Sequence, residues 1–193
     1  MGRLGVANGG HSMIVGDKVY LSSVERGNIE ILRHWRNRPS LRKYFREFKE
    51  ISKLDQESWF FDCVVKDQGV KQIDFEVHDK ASGVLIGHCG LYYISWVNRT
   101  AELSVYIGDM DFRGGGYGKD ALTMLFDYAF YSLNLNRIFC EVYDNNESIH
   151  VYRHMGFKDE GVLKQSYYCD GKFGDSHILG LLRGYWDERR DEI

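Results

Sequence analysis

Residues 112–119, FRGGGYGK, place four glycines between an arginine and a lysine. Glycine loses more backbone entropy on folding than any other residue, so such a cluster in a compact domain needs a reason. The segment follows a strand-like run at 100–107 and precedes a run with helical periodicity. N–H groups at the start of a helix lack intrahelical acceptors, and glycines let an anion approach them. The segment therefore predicts a site for a phosphate-bearing ligand, and a tight turn without a ligand is the alternative.

Two common phosphate motifs do not fit this segment. Walker A requires G-x-x-x-x-G-K-[ST], but Arg113 stands five residues before Gly118 and Asp120 follows the lysine. The dinucleotide fingerprint G-x-G-x-x-G fails because Lys119 occupies its last position. The pattern that fits is Arg-x-x-Gly-x-Gly, formed by Arg113, Gly116 and Gly118.

This spacing resembles motif A of the GCN5-related N-acetyltransferases (GNAT), whose [QR]-x-x-G-x-[GA] loop holds the pyrophosphate of coenzyme A. Residues 145–157, NNESIHVYRHMGF, resemble a second segment of that family, N-x-x-[SA]-x-x-x-Y-x-x-x-G-F. The resemblance is close over residues 84–157 and implies an acetyl-CoA-dependent N-acetyltransferase of the ribosomal-protein-alanine or amino-sugar branch, without a metal. The coenzyme A site that it implies consists of Tyr106, Ile107, Arg113, Gly114, Gly116, Tyr117, Gly118, Lys119, Asn145, Ser148 and Tyr152.

Acetyl transfer to an amine needs a neutral nucleophile, a polarised thioester carbonyl and a proton for the departing thiolate. The resemblance implies direct attack in a ternary complex, with the carbonyl held by a backbone N–H near Tyr106 or Ile107. Tyr152 matches the family's general acid, and a tyrosine that only packs on its helix is the alternative. Glu102 could accept the amine proton through water, or it could be an ordinary strand glutamate.

The segment 34–52, HWRNRPSLRKYFREFKEIS, bears on the acceptor. Its WRN run is similar to acetyltransferases of aminated nucleotide sugars and also to ribosomal-protein alanine acetyltransferases. Arg36 and Asn37 are therefore predicted to contact the acceptor. The cations that could meet a diphosphate are Arg33, Arg36, Arg38, Arg42, Lys43 and Arg46. An aminated nucleotide sugar is one predicted acceptor and a protein N-terminus is the alternative, while a merely solvated basic helix pair would indicate neither. A non-catalytic acyl-CoA-binding or sensing domain is the alternative from a different class.

The elements that must position these residues follow from periodicity. Their predicted order is β-α-α-α-β-β-β-α-β-α-β-β, and Asp170-Gly171 marks a hairpin. We predict a single α/β domain at residues 13–186, with a mixed, mostly antiparallel sheet of about seven strands flanked by helices. The resemblance implies a splayed strand next to the acetyl-CoA site. Residues 1–12 are interpreted as a flexible leader or as a remnant of an expression vector, and residues 187–193 as a charged tail.

Composition limits the function classes. The formal net charge of −3 gives no basic stripe for nucleic acid, and no apolar run approaches the roughly 18 residues of a membrane span. The four cysteines form no CxxC pair, so they are interpreted as free thiols. His150 and His154 are spaced as metal ligands could be, but without a completing carboxylate they indicate a solvated helix face. We expect a cytoplasmic enzyme that acts on a small-molecule amine or a protein N-terminus and could form a homodimer.

Overall fold

The computed structural model describes residues 4–6, 12–46 and 49–193. Within these residues nine strands form one sheet in the order β1-β2-β3-β4-β5-β6-β7-β9-β8. The strands are β1 (Leu4–Val6), β2 (Ser12–Val15), β3 (Val19–Ser23), β4 (Ile73–Asp79), β5 (Leu85–Ser95), β6 (Thr100–Ile107), β7 (Arg137–Tyr143), β8 (Lys158–Cys169) and β9 (Lys172–Leu182). The helices are α1 (Ile29–Asn37), α2 (Pro39–Arg42), α3 (Lys53–Trp59), α4 (Tyr117–Asp127), α5 (Ser148–His154) and α6 (Arg183–Arg189).

The predicted class, a mixed and mostly antiparallel sheet flanked by helices, is confirmed. The parallel pair among these strands is β6 with β7, which α4 connects as the crossover that parallel strands require. Their pairing covers Thr100–Glu102 against Arg137–Phe139. Beyond it β6 continues to Ile107 along β5 alone, so a gap opens between the two central strands. This is the splayed strand that the resemblance implied.

Alternation along the strands produces two cores on opposite faces of the sheet. Ala101 and Leu103 of β6 face the larger core, where Leu122 and Phe126 of α4 cover the sheet. Tyr106 lies on the other face with the smaller core. This core is covered by α1 and by the π-helical turn after α3, Phe60–Val65. The active-site candidates on α4 and the acceptor candidates on α1 therefore lie on different faces, and the gap connects them.

The N-terminal interpretation is wrong in part. The sequence indicated about seven strands, which correspond to β3–β9, and the sheet also contains β1 and β2. Leu4–Val6 and Ser12–Val15 pair antiparallel, so these parts of residues 1–12 belong to the sheet. Three residues are too few to show a period of two, which is why sequence reasoning missed β1. Residues 1–3 and 7–11 lie outside the described residues.

The interpretation of residues 187–193 as a tail is also corrected. Helix α6 runs through Arg189, and the Trp186 side chain is completely buried against Phe126 (ring centroids 5.1 Å apart). Arg190 forms an ion pair with Asp127 at the end of α4 (Nη2 to Oδ2, 2.7 Å). The C-terminal residues thus pack on the same core as α4. No helix in the described part of the chain is long and apolar enough to cross a membrane.

Candidate active site

The glycine-rich segment forms a cradle at the start of α4. Gly114 and Gly116 have φ angles of +76° and +84°, a region in which a side chain would be strained by about 1–2 kcal/mol. Gly116 is the N-cap residue of α4, and its carbonyl already accepts the Asp120 N–H at 3.0 Å. The N–H groups of Tyr117, Gly118 and Lys119 in the first turn have no intrahelical acceptor. The predicted anion donors are therefore brought together at one helix N-terminus, where the helix dipole also favours negative charge.

Arg113 holds the end of β6 with one side of its guanidinium. Its Nε donates to the carbonyl oxygen of Ile107 at 3.0 Å, and Arg38 donates to the next carbonyl, that of Gly108, also at 3.0 Å. The Arg113 Nη2 is buried without a partner among the described residues. Burial, together with the charge of Arg38, lowers the pKa of Arg113. A buried donor without an acceptor, beside a cradle of free N–H groups, fits an anionic ligand such as a phosphate of coenzyme A.

Two residues that sequence reasoning missed fix the cradle to the N-terminal hairpin. The Asp120 carboxylate accepts the N–H groups of Asp17, Lys18 and Val19 at 3.2, 2.8 and 2.9 Å. In return, the Lys18 ammonium donates to the carbonyl of Gly115 at 2.6 Å. The signal in the sequence was an aspartate in the first helical turn, a place where carboxylates bind nearby N–H groups.

Replacing Asp120 by alanine should leave these three N–H groups without an acceptor and release the hairpin from the cradle. We expect the free energy of unfolding to fall by about 2 kcal/mol, and the affinity for coenzyme A to fall as well. Chemical denaturation and titration calorimetry measure the two effects. Asp111→Ala, at an exposed position next to the cradle, is the control. Unchanged affinity in Asp120→Ala would show that the hairpin does not support the cradle.

The gap between β6 and β7 exposes main-chain groups of alternate residues. Gly108, which follows β6, donates its N–H to the Ile86 carbonyl of β5. Opposite residues in an antiparallel ladder alternate between hydrogen-bonded and non-hydrogen-bonded pairs, so Tyr106 forms a hydrogen-bonded pair with β5 and its neighbours do not. The main-chain groups of Tyr106 therefore point to β5, while those of Val105 and Ile107 point into the gap. Of the two predicted carbonyl holders, this geometry favours Ile107. Tyr106 instead contributes its ring, which packs against Trp35 and Phe45.

Tyr152 lies on α5 at the border of the larger core and is 7% exposed. Its ring packs against Phe157, with centroids 5.5 Å apart. Burial, with a smaller effect of Cys140 on β7, raises the pKa of the phenol. A raised pKa keeps the phenol protonated, as a proton donor must be before it acts.

The N-terminus of α5 is held by Asn146. The Asn146 side-chain oxygen accepts the Ser148 N–H at 3.0 Å and also the Ser148 hydroxyl. Asn145 is exposed at the end of β7. The contacts of Asn145 and Ser148 with coenzyme A stay predictions.

A cavity of about 460 Å³ opens beside the gap, on the face of the sheet that α1 covers. Its lining includes Phe45, Trp59, Tyr92 and Tyr106, so its walls are largely aromatic. The cavity is of the size that small-molecule sites occupy, and it adjoins β6 at Leu103 and Ser104. It is the natural place for an acceptor that must reach a group held in the gap.

Glu102 lies in this cavity, but it is not a free base. It forms a two-pronged ion pair with Arg46 (Nη1 to Oε2, 3.1 Å), and its side chain is only 13% exposed. Arg46 also contacts Glu141 of β7 at 3.0 Å. Burial by itself would lower the pKa of Arg46, but the ion pairs outweigh it and raise the pKa. Glu102 and Glu141 therefore form a carboxylate pair across the gap that already holds a cation.

The two residues predicted to contact the acceptor, Arg36 and Asn37, differ in position relative to the cavity. Arg36 lines the cavity, with its guanidinium 5.6 Å from the ring of Phe45. Asn37 does not, because both ends of its amide bond the main chain of Ile51 (2.9 and 2.8 Å) and so hold the loop before α3. The contact of Asn37 with the acceptor stays a prediction, and it would require the amide to leave Ile51. Of the other basic residues, Arg33 and Arg42 are paired with Glu30 and Glu50.

Comparisons with known proteins agree with this geometry. A family model described as "Acetyltransferase (GNAT) domain" matches residues 18–158. A spermidine N(1)-acetyltransferase of Vibrio cholerae serotype O1 is 26% identical over 172 residues, 89% of this chain and 96% of that protein. A putative ribosomal N-acetyltransferase of Bacillus subtilis is 34% identical over 106 residues, 54% of this chain and 57% of that protein. The crystal structure of spermidine N-acetyltransferase from Vibrio cholerae in complex with CoA and spermine superimposes with a TM-score of 0.79 at 26% identity, covering 88% of this chain and 98% of that one.

Proposed function

The chain belongs to the acetyltransferase (GNAT) family and is an acetyl-CoA-dependent N-acetyltransferase, and from this premise we propose that its acceptor is the primary amino group of an aliphatic polyamine. The carboxylate pair Glu102–Glu141 carries the proposal. It lies in the cavity next to the gap, and Arg46 shows that the pair accommodates an organic cation.

The aromatic walls favour the same substrate class. A polyamine presents ammonium groups joined by methylene chains, and aromatic faces attract cations while their bodies cover apolar surface. Tyr106 and Tyr92 are protonated and neutral, because burial raises the pKa of each. The relatives with a spermidine N-acetyltransferase name support this choice over an aminated nucleotide sugar. The structure weakens the nucleotide-sugar prediction as well, since several of the cations proposed for a diphosphate are occupied within the chain.

The chemistry assigned to the chain's residues has three parts. An N–H at Ile107 or Val105, directed into the gap, holds the thioester carbonyl oxygen, a contribution of about 3–4 kcal/mol in other acyl-transfer enzymes. A bond forms between the amine nitrogen and the carbonyl carbon while the carbon–sulfur bond breaks. Tyr152 supplies the proton that the departing thiolate takes up. The cradle at Arg113–Gly118 holds the phosphates of the co-substrate.

Thiol release from acetyl-CoA, measured with a panel of amines, tests this function. The panel consists of spermidine, spermine, a peptide with an N-terminal alanine, and a nucleotide-linked 4-amino sugar. We expect kcat/KM for the polyamines to exceed the values for the other two by at least about tenfold, which corresponds to about 1.4 kcal/mol. A preference for the peptide would instead support the N-terminal acetyltransferase alternative, which the Bacillus subtilis relative favours. No release with any amine, despite tight coenzyme A binding, would support a sensing domain.

Removing one charge of the carboxylate pair should weaken polyamine binding. In Glu141→Gln we expect KM for spermidine to rise about tenfold with little change in kcat, because a charge-assisted contact made in both the ground state and the transition state is lost. Glu57→Gln, on the exposed side of α3, is the matched control. Steady-state kinetics at saturating acetyl-CoA provide both constants. An unchanged KM would exclude Glu141 from the acceptor site.

A further inference from the structure

A buried polar cluster that the sequence analysis did not identify lies at the floor of the acceptor cavity. His88 of β5 is 5% exposed and lines the cavity. Its Nε2 lies 3.2 Å from Oδ1 of Asp74 on β4, a carboxylate that is buried beneath it, at an ion-pair distance but without hydrogen-bond geometry. Asp74 also accepts the hydroxyl of Tyr92 and the side-chain amide of Gln72, each at 2.7 Å.

This cluster keeps a negative charge under the imidazole. Burial alone would raise the pKa of Asp74, but its interactions with His88, Tyr92 and Gln72 outweigh burial and lower it. An ionised carboxylate at Nε2 favours the tautomer with the proton on Nε2. The Nδ1 of His88 is then the ring nitrogen with a free lone pair.

We propose that His88, held by Asp74, is the group that takes the proton from the acceptor amine. This proposal rests on the proposed function, because it concerns the same acceptor cavity. Carboxylate–imidazole pairs serve as oriented bases in other acyl-transfer enzymes, where the carboxylate fixes the ring and stabilises the imidazolium that forms. Asp74 is accordingly a positioning residue and His88 the proton acceptor.

The position of His88 relative to the gap suits this role. His88 lies opposite Tyr106 in the β5–β6 ladder, and the two rings stack with centroids 5.6 Å apart. Tyr106 immediately precedes Ile107, whose main chain faces the gap. The strand that carries His88 is thus one strand spacing, about 4.8 Å, from the carbonyl-holding strand. We expect an amine above β6 to reach the imidazole through water.

Several titratable or charged groups face His88 or line the cavity beside it. They are Asp74 and Glu76 of β4, Tyr92 of β5, Tyr106 of β6, Arg36 of α1 and Cys63 after α3. Burial raises the pKa of both tyrosines and of Cys63, so these three stay protonated. Glu102, the base predicted from the sequence, is engaged by Arg46 and is better suited to bind the substrate cation.

The protons balance over one turnover. The acceptor ammonium gives one proton through water to Nδ1 of His88, which becomes an imidazolium over Asp74. The neutral amine forms the carbon–nitrogen bond, and the thiolate takes the proton of Tyr152. The nitrogen then loses its second proton to solvent, and water at the cavity returns a proton to Tyr152 as His88 releases its own.

The test compares His88→Gln and Asp74→Asn with the wild type, using spermidine and saturating acetyl-CoA over pH 5.5–9. His34→Gln, at an exposed histidine on α1, is the control. In His88→Gln we expect kcat/KM to fall by about 10²-fold or more, coenzyme A affinity by less than about twofold, and the acid limb of the pH profile to vanish. Asp74→Asn should move the acid limb to lower pH, because the imidazolium loses its counter-charge.

Activity of His88→Gln within about threefold of the wild type, with the same acid limb, would overturn the proposal. If His88→Gln does not fold and therefore does not bind coenzyme A, the pH profile of Asp74→Asn provides the test. An acid limb at the same pH as in the wild type would then overturn the proposal. Wild-type protein that does not acetylate spermidine would instead refute the proposed function. The base assignment would then be decided with whichever amine of the panel the wild type accepts.

Discussion

Replacing Tyr152 by phenylalanine is expected to lower kcat for acetyl transfer by about 10²–10³-fold and to change the affinity for coenzyme A by less than about twofold. The phenol is the residue assigned to protonate the departing thiolate, and general acid catalysis contributes roughly that factor. Phenylalanine keeps the ring that packs against Phe157, so the core beneath α5 should be unaffected. The loss belongs in kcat rather than in KM, because the proton is transferred only as the carbon–sulfur bond breaks.

Stopped-time thiol-release assays and titration calorimetry on the same preparation separate turnover from coenzyme A binding. Tyr168→Phe, at an exposed site near the β8–β9 hairpin, is the control and should match the wild type. Wild-type turnover in Tyr152→Phe would remove the phenol from the mechanism. A protein that binds coenzyme A identically in both forms and turns over in neither would be the sensing domain that the sequence left as an alternative.

The second large effect concerns stability. Trp186→Ala should reduce the free energy of unfolding by about 3–5 kcal/mol, which is a large share of the 5–15 kcal/mol typical of a domain. Trp186 is fully buried against Phe126, and its indole N–H donates to Asp127 at 3.0 Å. The truncation leaves a cavity between α4 and α6. It also removes one of the donors that, with Arg190, hold the Asp127 carboxylate.

Urea denaturation followed by circular dichroism measures this loss. Trp186→Phe fills most of the volume and loses only the N–H, so it should cost about 1–2 kcal/mol. Tyr185→Ala changes a neighbouring aromatic residue that is 40% exposed, and we expect a change below about 1 kcal/mol. An equal loss in the free energy of unfolding for Tyr185→Ala and Trp186→Ala would contradict the assignment of Trp186 to the core.

Sequence reasoning succeeded where the determinants are local. The limits of the strand-like run predicted at 100–107 are those of β6 in the structure. The glycine cradle followed from spacing, since Gly114 and Gly116 adopt left-handed backbone angles that other residues avoid.

The remaining parts depend on partners distant in the chain. His88 and Asp74 are 14 residues apart and meet only because β4 and β5 pair, so no local period marks them. The same applies to the ion pairs of Arg46 with Glu102 and Glu141, which are made by strands that follow much later in the sequence. Asn37 is a further example, because the WRN run suggested a ligand contact but could not show that the amide bonds the main chain of Ile51.

The short β6–β7 pairing also has a mechanical consequence. Within the sheet, three residue pairs join the six strands up to β6 to the three-stranded unit β7–β9–β8, and on one face the larger core packs against both units. On the other face, Arg46 bridges the two units by touching a carboxylate on each side. A co-substrate seated in the gap contacts both units and acts as a clamp. Its binding should raise the midpoint of thermal unfolding and slow amide exchange most in β6 and β7, by a stabilisation that grows with the logarithm of its concentration above Kd.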